Sequence, residues 1–182
     1  VYLNTLLVEV GTIPTSAVRV SCGWPARGAL ARSKRRIGEC WPGEHNADGC
    51  HHVFVSPVLD KPVQVLEVLL HELVHAALPA KVKHGKAFAK VCKNLGLEGK
   101  PTATVAGDTL IARLHAEIIP TLGEYPHKSI DATRHPKQTT RMRLYECLCE
   151  PKPVKVRTAS DTLDATCNVC NAPFTLQQGE GQ

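Results

Sequence analysis

Aromatic residues are scarce in this 182-residue chain: Phe, Trp and Tyr make up 4% of it, so Leu, Val, Ile and Ala must fill its core. No apolar run reaches eighteen residues, so no membrane-spanning helix is expected, and no secretory leader can be read in the sequence. Internal repeats are absent as well. The expectation is an intracellular, cytoplasmic protein with no membrane partner. In such a reducing compartment its eight cysteines are not expected to form structural disulfides.

Apolar residues at 43% and charged residues at 21% are ordinary for a globular protein. The length suits one domain with a real core, or one domain with a small appendage. The formal net charge is +5, and all of it resides between Lys128 and Arg157, where eight Lys/Arg face three Asp/Glu. A second basic knot, "RSKRR" at 32–36, is offset by acids elsewhere. Basic segments are usually solvated faces, yet two of them in a cysteine- and histidine-rich chain point to a nucleic-acid partner.

Element patterns come in a clear order. "VYLNTLLVEV" reads as a short helix. "SAVRVSCGW", "RIGECW" and "HHVFVS" read as strands, separated by a basic loop and by the turn-rich "PGEHNADG". Their spacing predicts a small antiparallel meander. Asp60 is the expected cap of a helix with Pro62 in its first turn, and Val63 to Leu78 is apolar almost all round, as in a buried central helix. "KAFAKVCKNLG" predicts a second helix closed by Gly96, and "TVAGDTLIARLHAEIIPTLG" contains a third that ends near Pro120. Residues 124–140 read as a linker. The expected organisation is therefore 1–123, the linker 124–140, and a cysteine-rich module over 141–182.

The central helix carries "HELVHA". His71 and His75, at i and i+4, lie on one helix face and can share one ion, for which zinc is well suited. Glu72 stands beside the first ligand, where its carboxylate can serve as a base without taking up a coordination position. A third ligand must return from elsewhere. His84 is the candidate, because Pro79 and residues 80–83 reverse the chain and Gly85 permits close approach. Buried histidines satisfied by hydrogen bonds are the plainer alternative, but three polar groups on so apolar a helix would be costly unpaired.

"HELVHA", its spacing to "HGKAF", the strands "RIGECW" and "HHVFVSP", and the C-terminal cysteines together resemble the SprT-like metalloproteases. The resemblance covers residues 16–97 and extends to 141–175. It implies an α+β fold: a minimal zincin-like core, in which a small antiparallel sheet packs on helices with HExxH on the central one, followed by a zinc-ribbon-like module. It further implies a catalytic zinc on His71, His75 and His84, with Glu72 as general base. The implied activity is DNA-dependent cleavage of proteins, crosslinked ones included, as in the eukaryotic Spartan proteases. The expected partners are a protein substrate and single-stranded or damaged DNA. The expected setting is a monomer in the cytoplasm of a bacterium, or of a phage's bacterial host.

The C-terminal cysteines predict a second, structural zinc. Cys167 and Cys170 have the C-x-x-C spacing that grips one ion, whereas Cys147 and Cys149 are C-x-C, one residue short of it. The alternative is a degenerate ribbon without metal. Arg141, Arg143, Lys152, Lys155 and Arg157 around it, with Arg35 and Arg36 of the first basic knot, are candidate phosphate contacts. Cys22, Cys40, Cys50 and Cys92 read as ordinary thiols, and Cys40, His45, Cys50, His51 and His52 lack a metal-binding spacing. Tyr125 reads as half-buried and outside the site.

Three functions remain: a zinc endopeptidase acting on proteins at DNA, a nucleic-acid-associated binding module on a zincin scaffold, and a regulatory protease with one protein target and no need of DNA.

Overall fold

The computed structural model describes residues 2–31, 33–123, 125–132 and 142–177. The chain divides into two compact units, 1–134 and 135–182. Of the expected linker, residues 125–132 lie in the first unit, where Ile130 N–H donates to Pro57 O at 2.8 Å and Tyr125 packs on apolar side chains. Glu124, residues 133–140 and Arg141 fall outside the described residues, as does Arg32 of the first basic knot.

The first unit is mixed α+β. Helix α1 (Tyr2–Glu9) buries Leu3, Leu6 and Leu7, at the i, i+3, i+4 spacing of one face. Strands β1 (Val18–Cys22), β2 (Gly38–Trp41) and β3 (His51–Val55) follow. They do not form the expected antiparallel meander. Their order is β1-β3-β2, with β1 parallel and β2 antiparallel to β3. Burial accounts for the difference: β3 buries His51, Val53 and Val55 and takes the centre, while the largely exposed β1 suits an edge. The long loop from Gly23 to Ile37 lets the chain leave β1 and return on the far side of β3.

Helix α2 (Pro62–Ala77) begins at Pro62 with Lys61 as its cap residue, and no side chain caps it, so the role expected of Asp60 is not played. Pro62 sits at the first helical position, where a missing N–H costs nothing. The helix buries Val65, Leu66, Val68, Leu70, Leu73, Val74 and Ala76 around its circumference, as the apolar run requires. Helix α3 (Lys86–Asn94) crosses beside it and is closed by Gly96 at φ +81°.

A hairpin of β4 (Leu97–Lys100) and β5 (Ala103–Ala106) then precedes the next helix. The segment from Thr104 that contains the expected third helix thus opens in a strand. The cues for a hairpin were Gly99, Pro101 and the short apolar run after them. Helix α4 runs from Asp108–Arg113 through a π turn, Leu114–Ile118, to a last helical turn, Ile119–Leu122. Pro120 is thus inside the helix; the widened turn before it relieves the usual clash with the preceding turn.

α1, α2, α3, the hairpin and α4 share one core, with Leu7, Leu70, Val74, Phe88 and Leu114 fully enclosed. The second unit is a three-stranded antiparallel sheet of order β7-β6-β8, from β6 (Arg143–Glu146), β7 (Lys155–Thr158) and β8 (Thr175–Gln177). No helix among the described residues is long and apolar enough to cross a membrane.

Leu70 is the test of this core. Leu70→Ala is expected to lower unfolding stability by about 2–5 kcal/mol, and Val8→Ala on the exposed side of α1 by less than about 0.5 kcal/mol, in urea titrations of the full chain.

Candidate metal centres

Helical pitch places His71 and His75 one turn apart on α2, with ring centroids 5.2 Å apart. Pro79 ends the helix, a short 3₁₀ turn follows over Ala80–Val82, and Lys83 at φ +48° reverses the chain. Gly85 follows directly, with its N–H on Val82 O. A β-carbon there would stand 2.9 Å from that carbonyl. The reversal brings His84 back over the α2 pair: its Nε2 lies 3.1 Å from His75 Nε2 and 3.4 Å from His71 Nε2. The three donor atoms form one group able to hold a metal ion.

The spacing fits an ion. Four ligands at about 2.0–2.1 Å around zinc stand about 3.3–3.4 Å from one another, close to the observed separations. Hydrogen bonds among three converging ring nitrogens satisfy them only in part, because each nitrogen has one proton or one lone pair to offer; a cation satisfies all three. Burial holds His71 at about 4 and His75 at about 3, with neighbouring histidines adding to the effect, and it lowers His84 as well. The neutral form that ligates metal is therefore the resting form.

Two residues support the histidines, one marked in the sequence by the "HGKAF" pattern and one marked by no local spacing. Thr104 Oγ1, on β5, lies 2.8 Å from His71 Nδ1. With that N–H donating to the hydroxyl, His71 turns its Nε2 lone pair inward, as ligating histidines commonly do. Phe88, fully buried on α3, underlies all three rings at centroid distances of 4.9 Å for His71, 4.3 Å for His75 and 5.1 Å for His84. It is the aromatic of "HGKAF", so its place in the pattern has a packing reason.

Glu72 is buried, and burial lifts its carboxyl to about 8; Glu39 adds to the rise and Arg36 opposes it. Strand β2 comes so close that a β-carbon on Gly38 would sit 2.5 Å from Glu72 Oε1 and 2.7 Å from Val68 Cγ1. Only glycine lets the strand close on the helix there.

In the second unit Cys147, Cys149, Cys167 and Cys170 form a second group able to hold an ion such as zinc. Cys149 Sγ and Cys167 Sγ are 3.8 Å apart, the separation of about 3.8 Å that Zn–S bonds of about 2.3 Å give in a tetrahedron. The short C-x-C spacing is accommodated because Cys147 leaves the end of β6, with its N–H on Val154 O and Val154 N–H on its sulfur. Asn171 at φ +53° turns the second knuckle, returning its N–H to Cys167 O. Backbone N–H groups of Cys170 and Val169 hold the Cys167 thiol down at about 6, near the thiolate form that ligates.

Among the described residues these are the only two such groups. His51 of the scattered cluster instead contacts Thr15 Oγ1 and accepts from Gly43 N–H. Of the candidate phosphate contacts, Arg36 pairs with Glu39, Arg143 with Asp161 and Lys155 with Glu146, and Arg35 donates to Ala31 O. Lys152 and Arg157 are exposed.

Comparison of the chain with protein-family models, with curated proteins and with solved structures finds no significant match.

The full chain purified in zinc is expected to carry two metal equivalents by elemental analysis. His75→Ala and Cys167→Ser should each remove one, and Thr104→Val should weaken the histidine site by roughly 10–100-fold in a chelator competition.

Proposed function

We propose that the chain is a zinc-dependent endopeptidase of the SprT-like type, with a zincin-like first unit and a zinc ribbon as its second. The observation that carries this reading is the convergence of His71, His75 and His84 at a half-exposed face, with the buried carboxyl of Glu72 on the adjacent helix position. A zinc ion held by His71, His75 and His84 would supply a Lewis acid there, lowering the pKa of water to ~7 and polarising a substrate carbonyl.

The rest of the chemistry belongs to the chain. Glu72 takes a proton from the attacking water as its oxygen bonds to the peptide carbon, then delivers that proton to the amine as the C–N bond breaks. Thr104 keeps the His71 ring in register, and Gly38 leaves room for the Glu72 side chain.

The substrates in this reading are proteins on or near DNA. The basic character of 26–37 and the excess of eight Lys/Arg over three Asp/Glu between Lys128 and Arg157 support it, with affinity that falls as salt rises. An intact Glu72 beside an ion site speaks against a pure binding module, which has no use for a base.

Glu72→Gln is expected to keep both metal equivalents while cleavage of a DNA-binding protein falls at least about 100-fold. For the wild type, gel-based cleavage should require single-stranded DNA. Cleavage independent of DNA would point to a dedicated regulatory protease. Absence of cleavage with metal present would sink the peptidase reading.

A further inference from the structure

Both tryptophans of the chain, Trp24 and Trp41, line one open slot of about 340 Å³ with Phe54, His52 and Glu39. In a chain with so few aromatics, this concentration has no counterpart in the main core. The two indoles remain 39% and 41% exposed. Phe54 forms a half-buried floor, with Gly23 so close that a β-carbon there would stand 3.1 Å from its ring.

Strand alternation explains where the slot lies. Successive residues of β2 point to opposite faces, so Gly38 meets Glu72 and helix α2 while Glu39 and Trp41 face away. The slot is on the back of the strand that walls the histidine site, and an occupant does not cover the histidines.

The slot is also built. Glu39 Oε2 accepts from Trp41 Nε1–H at 3.1 Å and from Ala26 N–H at 2.8 Å, which fixes one indole and ties down the segment bearing the other. Its charge is met by Arg36 at 2.7 Å. Between Ala26 and Ile37 the sequence has Arg27, Arg32, Lys34, Arg35 and Arg36 and no acid. Asp48, which contacts the slot's His52, is also paired with Arg19.

We propose that this slot seats an unpaired base of single-stranded nucleic acid between Trp24 and Trp41, while Arg27 and Lys34 of the adjoining loop contact its phosphates. The inference rests on the nucleic-acid part of the reading above and locates that contact. Exposed aromatic faces stack any base, and a neighbouring basic track holds the backbone. A slot with a carboxylate can instead take an ammonium group. Here Arg36 offsets Glu39 and the loop is wholly basic, so a cation is repelled and a phosphate attracted.

Because the chain has no other tryptophan, selectively excited tryptophan emission reports on this slot alone. Titrating a fifteen-residue oligothymidylate into the full chain, with no protein substrate present, should quench the emission to saturation. Trp24→Ala and Trp41→Ala should each weaken binding by roughly tenfold or more, measured by anisotropy of a labelled oligonucleotide, whereas Trp41→Phe keeps it within about threefold. Lys34→Gln should lower the salt slope by about one. Retention of both metal equivalents by each variant shows that it has folded.

Oligonucleotide binding without quenching, and indifferent to both alanine variants, would overturn the proposal and move the contact to the second unit. Quenching by choline but not by the oligonucleotide would overturn it in favour of an ammonium site. Saturable quenching in a protein that cleaves nothing would leave the slot standing and remove only the peptidase reading.

Discussion

Helix α2 has to be enclosed on nearly every side, and that demand organises the first unit. With Val65, Leu66, Val68, Leu70, Leu73, Val74 and Ala76 all buried, it is the stripe of Gln64, Glu67, His71 and His75 that is left partly open. The sheet takes one side, α1 and α4 another, and α3 with the β4–β5 hairpin closes the remainder. The histidines and Glu72 are carried into this packing by their positions on the helix. They are tolerable there because each finds a partner or an opening: Thr104 for His71, His84 for His75, and a strand reduced to glycine beside Glu72.

The second unit solves a different problem. Among its described residues it buries only Tyr145, Cys147 and Cys167. A module this small seldom has enough core to hold itself together, and a metal clip at the four thiols is the usual remedy. The N–H groups that point at Cys147 and Cys167 are placed to stabilise thiolates. The two metal groups thus have opposite characters. The histidine group is open on one side and lies beside a carboxyl, whereas the cysteine group is a knot that ties strands.

The β2 strand links the Glu72 side of the first unit to its outer face. Gly38 and Cys40 face α2, and Glu39 and Trp41 face the aromatic slot. Glu39 and Arg36 are near enough to Glu72 to act on its carboxyl in opposite directions. Charge on the outer face is therefore felt at the inner one, across one strand of four residues.

By itself the sequence determined whatever depends on neighbours along the chain. The i, i+4 step of a helix aligns His71 with His75, Pro79 stops that helix, and Cys147 with Cys149 and Cys167 with Cys170 are close pairs along the chain; backbone geometry settles all of these within a few residues. Only the tertiary structure decided which distant segments meet. Burial put β3 rather than β2 at the sheet centre, which made the sheet mixed. A hairpin hidden in the approach to α4 delivered Thr104 to His71, and a long loop carried Trp24 across to Trp41. Such meetings turn on competition for buried positions among the whole set of elements, and no local spacing records the outcome.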